Sequence, residues 1–138
     1  MLPFYPSSSD NGFAVKDYFA VDPAFGTWAD LEQLGRRFAL MFDAVFNHLS
    51  AQGAWFQRFL AGDAAFRDFF VTVDGEPDLS RVVRPRAWPL LTDFATAIGP
   101  RKVWTTFSAD QADLNFKNPA VLVRVLEVLL FCVAHRAR

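Results

Sequence analysis

The chain has 138 residues, 52% of them hydrophobic, which is enough for one apolar core and too apolar for a disordered tail. Its 14 basic and 15 acidic residues are mixed along the sequence and leave a net charge of −1, so no basic stripe for nucleic acid or an anionic membrane is present. The single cysteine, Cys132, excludes an internal disulfide framework and a cysteine-based zinc site, and it fits a reducing cytoplasm.

The first twenty residues carry Pro3, Pro6 and Gly12 as punctuation and predict a loop, with no basic n-region and apolar run of a signal peptide. Thr27 is placed to cap a helix over 27–37, with Asp30 and Glu32 in its first turns and Leu31, Leu34 and Phe38 in apolar spacing. Residues 39–47, ALMFDAVFN, form a nearly continuous apolar run that predicts a parallel strand buried on both faces. A helix followed closely by such a strand is one unit of a parallel α/β fold, and polar groups at the carboxyl end of such a strand are where these folds place ligands.

Residues 50–60 read as a short aromatic helix and 68–74 as a strand, after which Pro77, Pro85, Pro89, Gly99 and Pro100 predict a loop to about residue 102. KVWTTF, 102–107, is expected to form a short strand pairing with the first. Asn118 and Pro119 are the cap and first position of a final helix to about His135. Its segment VLVRVLEVLLFCVA is apolar nearly all the way round, too short to cross a bilayer, and predicts a helix pressed between neighbours. One good parallel strand without a partner strand leads us to expect a chain truncated at both ends.

Asp43-Ala-Val-Phe-Asn47-His48 is the densest polar constellation. An acid inside an apolar strand requires a cationic or hydrogen-bonding partner, and one Asn with one His makes a poor metal set. Asp10-Asn11-Gly12 is by default a tight turn, and Asp17-Tyr18 reads as loop punctuation. Phe13, Trp55, Trp88, Trp104 and Phe107 lie in or beside loops, where aromatic faces can stack on sugars. Arg84-Pro85-Arg86 holds two guanidinium groups on a stiff backbone, which suits an anion such as phosphate.

Together, DNGFAVKDYFAVDPAFGTWADLEQL, FDAVFNHLS and DQADLNFKNP resemble the alpha-amylase superfamily, glycoside hydrolase family 13. LPFYPSSSDNGF, VVRPRAWPLLT and VWTTFSADQADLN are similar to its sucrose phosphorylase branch. The resemblance implies a partial (β/α)8 TIM barrel around the third strand, with a small inserted α+β subdomain. Residues 1–49 would be the barrel segment, 50–117 the insertion, and 118–138 the helix preceding a fourth strand. It further implies that Asp10 and His48 hold hydroxyls of a glucosyl unit, that Phe13 and Phe107 form its apolar wall, and that Gln111 adds a hydrogen bond. Arg86 would stand on the acceptor or phosphate side. Asp17, Asp43, Asn47 and Asp113 would be scaffold, with Asp43 pairing an Arg from a later strand.

The family's chemistry needs a nucleophilic carboxylate and an acid about 5 Å apart. In the resemblance both lie beyond Arg138, so this chain alone is expected to be inactive. The expected partners are a glucoside such as sucrose, and phosphate, with no nucleic acid, membrane, cofactor or metal. An amylase-type hydrolase and a non-catalytic carbohydrate-binding module are the alternatives.

Overall fold

The computed structural model describes residues 3–83 and 86–137. Residues 3–27 form an extended loop, tied to itself by a bridge between Ser7 and Val15 and containing one 3-10 turn, Asp10–Gly12. Helix α1, Trp28–Leu34, starts at a capping box: the Asp30 amide donates to the Thr27 hydroxyl, and the Asp30 carboxylate accepts from the Thr27 amide. It ends one turn earlier than the spacing predicts, at Gly35, and 35–37 continue as turn.

Residues 39–47 run without a ladder, and their one bridge is parallel, between Leu40 and Ala137. This corrects the expectation of a strand buried on both faces. A parallel strand takes its hydrogen bonds from neighbouring strands, and among the described residues only Ala137 lies in bridging position beside it. Strand β1 follows instead, at His48–Ser50, fully buried.

Helix α2, Ala54–Leu60, begins four residues later than predicted because Ser50 belongs to β1 and Gly53 is the cap. It buries Phe56 and Phe59 against Phe70 and Phe94. Beyond a 3-10 turn, Ala64–Phe66, come β2 (Thr72–Val73), β3 (Leu91–Thr96) and β4 (Gly99–Trp104). They form an antiparallel sheet in the order β2-β4-β3. The expected pairing of β4 with the segment around 72 is therefore present, whereas β3 replaces part of an expected loop. Pro100 looked like punctuation but pairs with Ala95. The Trp104 amide points to Val71 and the Thr105 amide to Leu90. By strand alternation position 100 faces the β2 side, beyond the Lys102 and Val103 positions that β2 pairs.

Strand β5, Gln111–Asp113, returns to pair antiparallel with β1 in the register His48↔Asp113, Leu49↔Ala112, Ser50↔Gln111. The bond from the Val71 amide to the Asp113 carbonyl, and the Phe70↔Leu114 bridge, connect this ladder to the three-stranded sheet. Helix α3, Pro119–Ala134, has Asn118 accepting from the Ala120 amide and proline in its first turn, as predicted. Val121, Val125, Val128 and Cys132 bury one face of α3 in a core shared with Phe4, Tyr5, Val15 and Tyr18. Leu122, Val123, Leu126, Leu129, Leu130 and Val133 are exposed on the remainder of the helix. Among the described residues no helix is long and apolar enough to cross a membrane.

Candidate functional site

The β1–β5 pairing sets the geometry. It brings His48 and Gln111, 63 positions apart in sequence, within 3.1 Å of each other, and the N-terminal loop lays Asp10 and Phe13 over them. Asp10 (φ 54°), Asn11 (φ 52°) and Gly12 (φ 100°) are three successive left-handed residues. Asp and Asn enter that region more readily than other side chains, and glycine freely. Gly12 is also required by space, because a Cβ there would lie 1.9 Å from Pro3 Cγ.

Asp10 accepts from Gln111 Nε2 at 2.9 Å and from both terminal nitrogens of Arg86, at 2.9 and 3.1 Å. The fork from Arg86 holds its carboxyl below the ordinary aspartate range, with Gln111 adding to the effect against burial. Ser108 donates to Gln111 Oε1 at 2.8 Å, so the amide orientation follows from its two partners.

His48 is buried, with Nε2 at 3.0 Å from the Phe13 carbonyl and Nδ1 at 3.4 Å from Asn47 Nδ2. A carbonyl can only accept and an amide nitrogen can only donate, so the ring is the neutral Nε2–H tautomer. The approach of Gln111 Nε2 is then packing between two donors. Burial holds the His48 pKa below its ordinary value, consistent with that neutral form. Phe107 packs on the imidazole at 4.9 Å between ring centres, and the Arg86 guanidinium carbon lies 5.9 Å from the Phe107 ring centre.

The six residues singled out as sugar-binding, Asp10, Phe13, His48, Arg86, Phe107 and Gln111, therefore form one connected group. Arg84 and Pro85 of the Arg-Pro-Arg motif lie outside the described residues. The four scaffold candidates are more scattered. Asp17 accepts from the Phe19 amide in a local turn. Asp113, opposite His48 in the ladder, accepts from the Thr106 hydroxyl and amide at 2.5 and 3.2 Å, yet burial pushes its carboxyl up. Asn47 bonds to both Asp113 and His48. Asp43 lines an apolar cavity of about 220 Å³ with Tyr5, Phe46, Leu129 and Cys132, and among the described residues no salt bridge reaches it. Among the described residues, no group of three His, Cys, Asp or Glu side chains is placed to hold a metal.

Sequence reasoning missed Asp110. Its carboxylate accepts from Ser8 at 2.5 Å, Ser9 at 2.6 Å and Ser50 at 3.1 Å. Nothing local in the sequence links Ser8 and Ser9 to Asp110. Tyr18 was missed as well: its buried hydroxyl donates toward the Val45 and His48 carbonyls at 2.6 and 3.0 Å and fixes the path into β1. Burial raises its phenol above the ordinary range.

Chemically, the group presents an ionised carboxylate, a neutral imidazole, a carboxamide and an aromatic face around one edge, groups suited to a polyol ring. The profile of the family described as alpha amylase, catalytic domain, matches residues 1–137. The chain belongs to the alpha-amylase family. It is 52% identical over 138 residues to a glucosylglycerate phosphorylase of Spirochaeta thermophila, covering 100% of this chain and 24% of that protein. A glucosylglycerate phosphorylase of Allomeiothermus silvanus is 55% identical over 137 residues, covering 99% and 25%. Among solved structures, the sucrose 6F-phosphate phosphorylase from Thermoanaerobacter thermosaccharolyticum superimposes with a TM-score of 0.90 at 30% identity, covering 99% of this chain and 31% of that one. This alpha-amylase-family chain thus spans about a quarter of the length of the curated relatives it matches. The fold is that family's TIM-barrel fold, represented here by a mixed α/β portion without a complete barrel.

Proposed function

We propose that this chain supplies part of the glucosyl-binding subsite of a retaining phosphorylase. Such an enzyme transfers glucose between a small glucoside and phosphate. The observation that carries this reading is the convergence of Asp10, His48, Gln111 and Phe107 from three separate segments onto one edge. Asp10 and His48 would take hydroxyls, Phe13 and Phe107 would cover the apolar ring face, and Arg86 would meet the anionic side. Asp17, Asp43, Asn47 and Asp113 keep a scaffold role, and 50–117 an inserted subdomain between barrel segments 1–49 and 118–138. The glucosylglycerate phosphorylases at 52 and 55% identity favour glucosylglycerate as the donor glucoside over the sucrose expected from motifs. The setting we assign is the cytoplasm.

A retaining mechanism needs two carboxyl groups about 5 Å apart, one nucleophile and one acid. Asp10 accepts from Arg86 and Gln111, which leaves a carboxylate room for one further donor, while Asp110 accepts from three serines and Asp113 from Thr106. The resemblance matches no acid of this chain to either role, and the proposal assigns no catalytic carboxylate to it. Calorimetric titration of the chain with glucosylglycerate and sucrose tests it. Weak binding that disappears in Asp10→Asn and His48→Ala is expected, with no release of glucose 1-phosphate. A folded chain that binds neither glucoside, or one that turns either over, would overturn it.

A further inference from the structure

We infer that Asp110 is the positioning residue that fixes Asp10 in the site. Asp10 stands at the start of a turn with three consecutive left-handed residues, so its direction depends on how the chain is anchored just before it. Ser8 and Ser9 are those preceding residues, and both hydroxyls converge on one oxygen of Asp110, Oδ2. The other oxygen, Oδ1, accepts from Ser50 at the end of β1, and the Asp110 backbone carbonyl accepts from the Ala51 amide.

Each serine hydroxyl has a single proton. Ser8 and Ser9 use theirs on Asp110, and Ser50 divides its own between Asp110 Oδ1 and Ser8 Oγ, 2.6 Å away. Asp110 is thus the shared acceptor for the N-terminal loop and β1, and it immediately precedes Gln111 of β5. Those three segments carry Asp10, His48 and Gln111. Without that acceptor, Ser8 and Ser9 lose their common anchor, and the turn that aims Asp10 at Gln111 and Arg86 is free to rotate. Ser8 would retain its backbone bond to Ala14, so the loop would stay attached while Asp10 loses its register.

Carbon-detected NMR of the Asp10 carboxyl in the whole chain tests this without any sugar. In Asp110→Ala its titration should move up toward the ordinary aspartate range as the Arg86 fork and Gln111 lose alignment, while the Thr105 amide, bonded to Leu90, keeps its exchange protection. Asp110→Asn keeps an oxygen for Ser8 and Ser9 and should restore most of the native titration. Ser9→Ala, which removes one exposed donor, should shift it less and in the same direction. An unchanged Asp10 titration in folded Asp110→Ala overturns the inference. Should that variant not fold, an unchanged titration in Ser9→Ala overturns it equally.

A second readout rests on the proposed function: methyl α-glucoside binding should weaken about tenfold in Asp110→Ala, close to 1.4 kcal/mol. If the carboxyl titration moves while the native chain binds no glucoside, the positioning role stands and the subsite reading fails.

Discussion

Around Asp10 the polar side chains satisfy one another: Arg86 and Gln111 on Asp10, three serines on Asp110, Thr106 on Asp113. Along α3 the reverse holds, since Val121, Val125, Val128 and Cys132 are buried while Leu122, Val123, Leu126, Leu129, Leu130 and Val133 face outward. The polar side chains find partners within these residues because hydrogen bonds are directional and few: each donor and acceptor has a small fixed number of partners. Apolar contact does not saturate in that way. A helix can therefore pack one face fully and still carry uncovered aliphatic surface.

The contrast can be broken most forcefully on α3 itself. Val128→Glu places a carboxylate in a site with no exposure and should destabilise by several kcal/mol or prevent folding, as judged by urea denaturation. Leu130→Glu, two positions away and 66% exposed, should leave stability within about 0.5 kcal/mol. Equal effects from the two substitutions would refute the one-sided packing of the helix.

A smaller effect is expected in the loop. Gly12→Ala puts a Cβ at φ 100° and against the Pro3 ring, and should cost roughly 1–3 kcal/mol in thermal unfolding. The more telling readout is glucoside binding, which should be lost while the β3–β4 hairpin amides remain protected.

The smallest effect concerns pH. Burial holds His48 below its ordinary value near 6.5, so below about pH 6.5 the unfolded chain takes up a proton that the folded chain refuses. The stability tied to neutral His48 is thus complete above that value and falls as the solution is acidified through the interval down to the lowered folded value. Asp113, held above its ordinary 3.8, works with the opposite sign in the interval just above about pH 4. The histidine's share is therefore read as the difference between native and His48→Asn melting profiles, and the variant should show the flatter acid limb.

Local sequence was a good guide wherever the deciding interaction spans a few residues. The Thr27 cap and the Asn118 cap with Pro119 are contacts between neighbours in the chain, and both are present, whereas α3, expected to be pressed between neighbours, has one buried face and six exposed aliphatic side chains. The run 39–47 shows the limit of that guidance. Its composition suits a buried parallel strand, but strand formation requires a partner backbone, and only the Leu40–Ala137 bridge supplies one among the described residues. Strand β3 failed in the opposite direction: Pro89, Gly99 and Pro100 signalled loop, while the hairpin partner imposed a strand on the residues between Pro89 and Gly99.

The candidate site divides in the same way. Motif resemblance selected Asp10, Phe13, His48, Arg86, Phe107 and Gln111, and also the alpha-amylase family, because these residue types recur in a fixed order along the chain. It gave no hint of Asp110 or of the three serines. Their importance arises from one antiparallel pairing, β1 with β5, which closes a separation of about sixty residues and brings loop, strand and strand into hydrogen-bond range. The sequence by itself determined the caps and the chemical repertoire of the candidate site. The direction of Asp10, the tautomer of His48 and the sharing of Asp110 were decided only by tertiary structure, because each depends on which distant donor or acceptor the fold places three ångströms away.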